Sequence, residues 1–299
     1  MIRSVVAGVD DSREGSAAAD WAAREALRRD MPLRLVCAWE RGLPEGGTET
    51  AVPGLRAPQQ HARQVLHTVL AQLGRRYPGL AVSAEQVAGP PVPALLAEAQ
   101  GADLLVIGSQ GSSGLSGFVS GAVAMAAAAR MERPIVLVRS DETAETEHLR
   151  DADGQPSVRT PFRDVAVAVD VEGSYDEVLD FAFRAAELRR APLRAVHAWH
   201  VPYSPGLAAT EQRARVRAVA EEELTRLLAP WRTKYPAVAV RENLHEGRPA
   251  HVLVRAAGGA GLVVAGIRRS RTPGPPRTGP VTHALIHHVR CPVALVPHA

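Results

Sequence analysis

The residues best suited to chemistry in this chain are an aspartate near its start and a glycine-rich segment much later. Asp10 directly follows the apolar run Val5–Val9, and the segment GSQGSSGLSGFVSGA (residues 108–122) follows a second apolar run. Glycines let backbone N–H groups turn toward one point, and a helix N-terminus behind them adds partial positive charge. This combination favours phosphate binding, and an acidic side chain on a neighbouring strand could bind ribose hydroxyls or the adenine edge.

The chain repeats itself at a long period, which determines how these elements are organised. VVAGVDDS returns as VAVAVDVEGS, so Asp10 aligns with Asp170, an offset of 160, whereas Gly108 aligns with Gly266, an offset of 158. Matching blocks keep the same order throughout, which indicates a duplicated domain. We expect one domain at residues 1–140, a polar, acid-rich linker at 141–162 and a second domain at 163–299.

Within each copy, short β-branched runs alternate with longer helical segments, as in a parallel sheet covered on both faces. In copy one we predict strands at residues 2–9, 33–38, 80–87, 104–107 and 135–138. The first helix should be capped by Ser12 and run to about Arg29, and another helix should follow Ala122. Each copy is thus predicted to be a doubly wound, five-stranded α/β domain. Such domains bind ligands at the carboxyl ends of the strands where the winding reverses.

Composition narrows the classes of function. The chain is 46% hydrophobic and 22% charged, as expected for a globular protein, and its 4% of aromatic residues argues against single-stranded nucleic-acid binding. Residues 1–150 carry 15 basic and 17 acidic side chains and residues 151–299 carry 20 and 15, without a dense basic block. No apolar run could span a bilayer, and the N-terminus lacks a signal-peptide core. We therefore expect a soluble cytoplasmic protein with no nucleic-acid or membrane partner.

Structural roles explain the cysteine, histidine and lysine residues more simply than catalysis or metal binding does. Cys37 and Cys291 lie in strand-like contexts, where a buried free thiol is the usual occupant, and His197 aligns with Cys37. His283 and His287 have a spacing that can hold zinc or nickel, but a polar helix face explains them more simply. The single lysine, at position 234, lacks the upstream glycines of a Walker loop.

These motifs resemble the universal stress protein family. The resemblance rests on GVDDS after the first strand, on ADLLVIGSQG and on a final PIVLVR strand, and it covers both copies. Nucleotide-binding members hold ATP phosphates in a Gly-x2-Gly-x9-Gly-[Ser/Thr] loop and the adenosine on an Asp that ends strand one. The resemblance implies two Rossmann-like domains packed as an intrachain pseudo-dimer through their last strands. It leaves open whether two chains pair further as a homodimer.

Carried over to copy one, the resemblance implies that Asp10 binds adenosine and that the backbone of Ala38 lies against adenine. One departure is Ala122, because it lacks the hydroxyl that would bind a phosphate. A hydrogen bond to a charged group is worth about 1.5 to 3 kcal/mol. The free energy of binding should be weaker by this amount, unless the hydroxyl of Ser112, Ser113 or Ser120 takes the place of the missing one. The complete set for this copy is Gly8, Val9, Asp10, Ala38, Gly108, Gly111, Ser112, Gly121, Ala122 and Val123.

Copy two keeps the spacing of the motif and loses most of its chemistry. Arg269 replaces the second glycine and Pro280 replaces the hydroxyl residue. The loop is therefore more cationic, and its arginines could clamp a phosphate. We favour the other interpretation, a degenerate loop with solvated arginines. The corresponding residues are Asp170, Ala198, Gly266, Arg269 and Gly279, with further arginines at positions 268, 271 and 277.

The ligand implied by the resemblance is ATP, alone or with Mg²⁺, held mainly by copy one. Asp10 and Asp11 could hold the metal, although adjacent carboxylates before a helix more often favour its positive N-terminus. Beyond this pair we find no catalytic set, so we expect a regulatory protein with an unidentified protein partner and not an enzyme. Two alternatives remain: a nucleotide-independent scaffold with decayed sites, as Ala122, Arg269 and Pro280 suggest, and a slow ATPase.

Overall fold

A computed structural model describes residues 3–40, 57–109, 118–171, 173, 175–201, 208–268 and 278–299. The chain divides into two compact units, Met1–Thr143 and Ala144–Ala299. Within the described ranges, no helix is both long enough and apolar enough to cross a membrane.

The first unit is a parallel sheet with helices between its strands. The strands are β1 (Val5–Gly8), β2 (Leu33–Trp39), β3 (Val82–Ala88), β4 (Leu104–Gly108) and β5 (Ile135–Val138), and the helices are α1 (Arg13–Arg29), α2 (Ala57–Arg76), α3 (Pro91–Ala99) and α4 (Phe118–Ala128). The strand order is β3-β2-β1-β4-β5. Because the winding reverses between β1 and β4, their carboxyl ends flank the crevice in which such sheets bind ligands.

The second unit repeats this order. Its elements are β6 (Val165–Val169), α5 (Asp176–Arg189), β7 (Leu193–Trp199), α6 (Ala208–Lys234), β8 (Val240–Glu246), α7 (Pro249–Ala256), β9 (Leu262–Arg268), α8 (Pro280–His288) and β10 (Val293–His298). The strand order is β10-β9-β6-β7-β8, and the strands are again parallel. The structure confirms the predicted doubly wound α/β fold in both copies.

Continuous apolar runs build the core of the first unit. All residues of β1 and β5 are buried, as expected for strands with helices on both faces. Helix α1 covers one face with alanines and with Trp21, which is fully buried. The predicted start and end of α1 are confirmed: the side chain of Ser12 accepts a hydrogen bond from the Gly15 N–H, and the helix ends at Arg29.

The segment predicted as a linker has structure of its own. A short 3-10 turn covers Glu145–Glu147, and His148 forms an antiparallel bridge with Phe162. The Glu147 carboxylate lies 3.9 Å from Arg189 of α5, and the side chains are only 1% and 2% exposed. This part of the segment is therefore packed into the second unit.

Candidate functional site

The candidate site of the first unit lies where β1 and β4 end side by side. The Val9 N–H still donates a hydrogen bond to the neighbouring strand, so Asp10 is the first residue to leave the sheet, and it is exposed. Gly108 ends β4, which pairs with β1 along its length. The structure therefore brings Asp10 and Gly108 to the same edge, at the reversal of the winding.

The Asp10 carboxylate is held in place by the turn that starts α1. Its Oδ1 accepts hydrogen bonds from both the backbone N–H, at 3.2 Å, and the hydroxyl of Ser12. Ser12 Oγ in turn accepts from the Gly15 N–H at 2.9 Å. A Cβ atom at position 15 would lie 2.3 Å from Asp10 Oδ1, so only glycine fits there. Sequence reasoning missed Gly15, although the spacing Asp-Asp-Ser-x-x-Gly could have indicated it.

The glycines that end β1 and β4 are accounted for by close packing. A Cβ at Gly108 would lie 2.6 Å from the backbone carbon of Glu14, so α1 starts directly against the end of β4. A Cβ at Gly8 would lie 2.8 Å from Leu95 of α3. Gly8 and Val9, both predicted as site residues, are buried, and Asp10 presents the exposed polar group.

The end of β2 lies beside β1, on the side away from β4. Ala38 is partly exposed near the end of β2, which pairs with β1. Cys37 is buried and free, and burial, reinforced by the charges of Asp10 and Asp11, raises its thiol pKa to about 11. The thiol is therefore protonated near neutral pH and is not an activated nucleophile.

The predicted phosphate loop is only partly covered by the structure. Gly111, Ser112 and Ser113 lie outside the described residues. The prediction that the following helix starts after Ala122 is wrong, because α4 begins at Phe118 and includes Gly121, Ala122 and the partly buried Val123. One helical glycine costs only about 1 kcal/mol relative to alanine, which is too little to delay a helix among such apolar neighbours.

A cavity of about 490 Å³ lies close to the candidate site of the first unit, but its lining includes neither Asp10 nor Gly108. It starts at Asp11 and Ser12 and runs along α1 and α2 as far as Arg76. The candidate site rests on the placement of Asp10 and Gly108 and not on this cavity.

In the second unit, the corresponding aspartate is paired with an arginine. The Arg268 guanidinium, at the end of β9, lies 3.7 Å from the Asp170 carboxylate. The Tyr175 ring packs against the buried His298 ring with centroids 4.7 Å apart. Burial and the charge of Asp170 raise the Tyr175 pKa, although Arg268 opposes this. A Cβ at Gly266 would lie 2.7 Å from His298, so the end of this sheet is already packed.

Tyr175 occupies the position that corresponds to Gly15, at the offset of 160. It is the residue before α5, and it makes no side-chain capping bond. Residues 172 and 174, which lie between Asp170 and Tyr175, are outside the described part of the chain. Sequence reasoning missed both Tyr175 and His298; the exchange of glycine for tyrosine was the available signal.

The remaining predicted residues of the second unit are placed as follows. Gly279 caps α8 and Pro280 is its first residue, a position that suits proline. Ala198 is partly exposed in β7. Arg269 lies outside the described residues, as do the arginines at positions 271 and 277.

Other potential ligands do not form a metal site in the part of the chain that the structure describes. His283 and His287 have ring centroids 4.4 Å apart, but no group of three or more His, Cys, Asp or Glu side chains could hold a metal there. Asp11 pairs with His61 at 3.2 Å, whereas Asp10 bonds to Ser12, so the adjacent carboxylates have different partners.

The aligned residues Cys37 and His197 are both buried, whereas Cys291 is partly exposed. His197, which aligns with Cys37, is buried and bonds through Nδ1 to the Val169 carbonyl at 3.0 Å, which confirms a buried position. The prediction that Cys291 is buried is wrong, because it precedes β10 and is partly exposed.

The fold and the paired strand ends define a doubly wound α/β domain, present twice. The sequence profile of the universal stress protein family matches residues 1–139 and 161–297. Universal stress protein Rv2623 of Mycobacterium tuberculosis is 31% identical over 274 residues, covering 88% of this chain and 86% of its own. Rv2005c of the same organism is 30% identical over 303 residues, with coverages of 97% and 95%. The chain belongs to the universal stress protein family.

A solved structure supports the fold independently. A universal stress protein from Archaeoglobus fulgidus matches 99% of this chain and 98% of its own, with a TM-score of 0.64 and 13% identity.

Proposed function

We propose that this protein is a cytoplasmic regulator that binds an adenine nucleotide, ATP, in its first unit. The observation that carries the proposal is the difference between the two aspartates. Asp10 is exposed beside Gly108 and is held by Ser12, whereas Asp170 is paired with Arg268 next to Tyr175. One unit therefore offers a carboxylate for ribose hydroxyls, whereas the carboxylate of the other forms a partly exposed ion pair.

The residues that would hold the nucleotide follow from the site. Asp10 would accept hydrogen bonds from the ribose, the partly exposed Ala38 would border the base, and Gly111 and the first turn of α4 would receive the phosphates. The positive end of the α4 dipole favours this orientation. Mg²⁺ bound with ATP would take most of its ligands from phosphates and water, which suits a site with only one or two carboxylates.

We propose binding and regulation without catalysis. The nearest thiol, Cys37, is held protonated by its raised pKa of about 11 and is therefore not a nucleophile near neutral pH. Occupancy by ATP would instead favour one arrangement of the loop after β4 and so change the binding of a partner protein.

Calorimetry with ATP on Asp10→Ala and its matched counterpart Asp170→Ala tests the proposal. Losing a hydrogen bond to a charged group should weaken binding about tenfold or more in Asp10→Ala, and Asp170→Ala should bind like the wild type. A nucleotide-independent scaffold would bind no ATP in any variant. Sustained phosphate release by the pure protein, abolished in Asp10→Ala, would instead indicate an ATPase.

A further inference from the structure

A groove between α7 and α8 of the second unit has features that nucleotide binding does not use. Its volume is about 680 Å³, and its lining includes Ala250, Val254 and Ala284. Four basic residues also line it, namely Arg248, His251, Arg255 and His288. All four are exposed.

The lining of this groove has more basic than acidic side chains. Within the described parts of the chain, no ion pair involves any of these four side chains. The carboxylate among the lining residues, Glu246, is paired with Arg213 at 3.0 Å. Two guanidinium groups and two imidazoles therefore face a surface that also exposes small apolar side chains.

The first unit lacks three of these four basic residues at the same positions, whereas the counterpart of His288 is Arg130. At the offset of 158, the counterparts of Arg248, His251 and Arg255 are Pro90, Pro93 and Ala97. The row of basic residues at positions 248, 251 and 255 is therefore specific to the second copy and not a general consequence of the duplicated fold.

We propose that this groove is a docking surface for an acidic peptide segment of a partner protein. Arg248 directly precedes α7, and His251 and Arg255 follow on the helix at a spacing that keeps all three on one side, a span of about 10 Å at 1.5 Å per residue. Such a linear array matches carboxylates repeated along a peptide better than a single phosphate. The apolar residues of the lining would contact one or two apolar side chains of the peptide. The four basic residues would favour peptides that carry negative charge.

Fluorescence anisotropy with the full-length chain tests the surface. The probe is a short labelled peptide of glutamate and leucine at helical spacing, with a lysine-for-glutamate peptide as its control. We expect the acidic peptide alone to bind, and its affinity to fall at least about tenfold in Arg248→Glu/Arg255→Glu. Ala284→Glu, which places a carboxylate in the groove, should weaken binding similarly. Arg215→Glu, at an exposed position on α6, should bind like the wild type.

Three results would overturn the proposal. The first is equal peptide binding by the wild type and the double variant. The second is equally tight binding of a double-stranded oligonucleotide that depends on the same arginines, which would identify a nucleic-acid surface. The third is self-association that the double variant abolishes, since the occupant would then be a second copy of the chain. ATP affinity should be unchanged in all of these variants, which separates this surface from the nucleotide site.

Discussion

At the scale of single residues, the two units differ most in what surrounds the aspartate after their first strand. In the first unit, Ser12 and Gly15 leave Asp10 room to lie against the start of α1. In the second, Tyr175 takes the place of the glycine and packs on His298. A Cβ atom at position 15 would already be too close to the Asp10 carboxylate, so the arrangement of the first unit requires glycine there.

Gly15→Ala should therefore weaken ATP binding about tenfold or more. The new Cβ would lie 2.3 Å from Asp10 Oδ1, which forces the carboxylate away from its position. Calorimetry measures the change. Gly74→Ala on α2 is the matched control, because a Cβ there meets nothing within 4 Å, and it should bind normally. Normal binding by Gly15→Ala would show that the position of Asp10 does not matter.

Ala122→Ser should strengthen ATP binding. The serine would restore the hydroxyl that the family motif places after the last glycine, and a hydrogen bond to a charged phosphate is worth about 1.5 to 3 kcal/mol. We expect the dissociation constant to fall about tenfold, measured by the same titration. If a neighbouring serine already supplies this bond, the affinity will not change, and the predicted role of position 122 will be wrong.

At the scale of structural elements, the segment between the copies compensates for a lost carboxylate. In the first unit, Arg29 of α1 pairs with Asp103 at 2.8 Å. In the second unit, Gly261 stands at the position of Asp103, and the counterpart of Arg29, Arg189, pairs instead with Glu147 of the intervening segment. A Cβ at Gly261 would lie 3.1 Å from the Glu147 carbonyl oxygen, so the glycine makes room for this segment.

Glu147→Ala should destabilise the second unit by about 3 kcal/mol, because it leaves a buried guanidinium without this carboxylate. Hydrogen exchange measured by mass spectrometry should show faster exchange in β6 and α5, with β1 and α1 unchanged. Asp103→Ala is the matched control and should show the reverse pattern. Unchanged exchange in Glu147→Ala would mean that the segment merely connects the units.

Asp180 of α5 contacts Lys234 and Tyr235 at the end of α6, and these contacts make the free energy of unfolding depend on pH. Burial acts to raise the pKa of Asp180, but hydrogen bonds from Lys234 and Tyr235 prevail and lower it. A carboxyl group whose pKa is lowered by folding stabilises the protein above its unfolded pKa of about 3.9, and this contribution is lost as the pH falls through the folded value.

Urea unfolding of the wild type and of Asp180→Asn between pH 7 and pH 3 checks this assignment. The wild type should be the more stable protein at pH 7, and the difference in unfolding free energy should shrink toward pH 3. A difference that stays constant over this range would show that the charge of Asp180 does not contribute.

At the scale of the whole molecule, the repeat and the alternation of strands and helices were enough to predict both sheets and the position of Asp10. These features follow from long apolar runs, which must be buried and can therefore form only a few kinds of structural element. The start of α4 and the exposure of Cys291 were predicted wrongly, because small local energies decide the end of a helix or a strand. Tyr175 and His298 are far apart in sequence and meet only when the sheet forms, so no local pattern could pair them.

The structure shows where part of the positive charge of the second half lies. The first half has 15 basic and 17 acidic residues, and the second has 20 and 15. Part of that excess lies at the rim of the α7–α8 groove, and Arg268 at the second sheet end is paired with Asp170. The duplicated units have thus retained one fold and diverged in the charge of their surfaces.

Native mass spectrometry of the intact chain with ATP tests the central claim most directly, because it counts bound nucleotides. We predict one ATP per chain for the wild type and for Asp170→Ala, and none for Gly111→Arg, which introduces the arginine found at the corresponding position of the second copy. Two nucleotides per wild-type chain, or one retained by Gly111→Arg and lost from Asp170→Ala, would contradict the assignment of the site to the first unit.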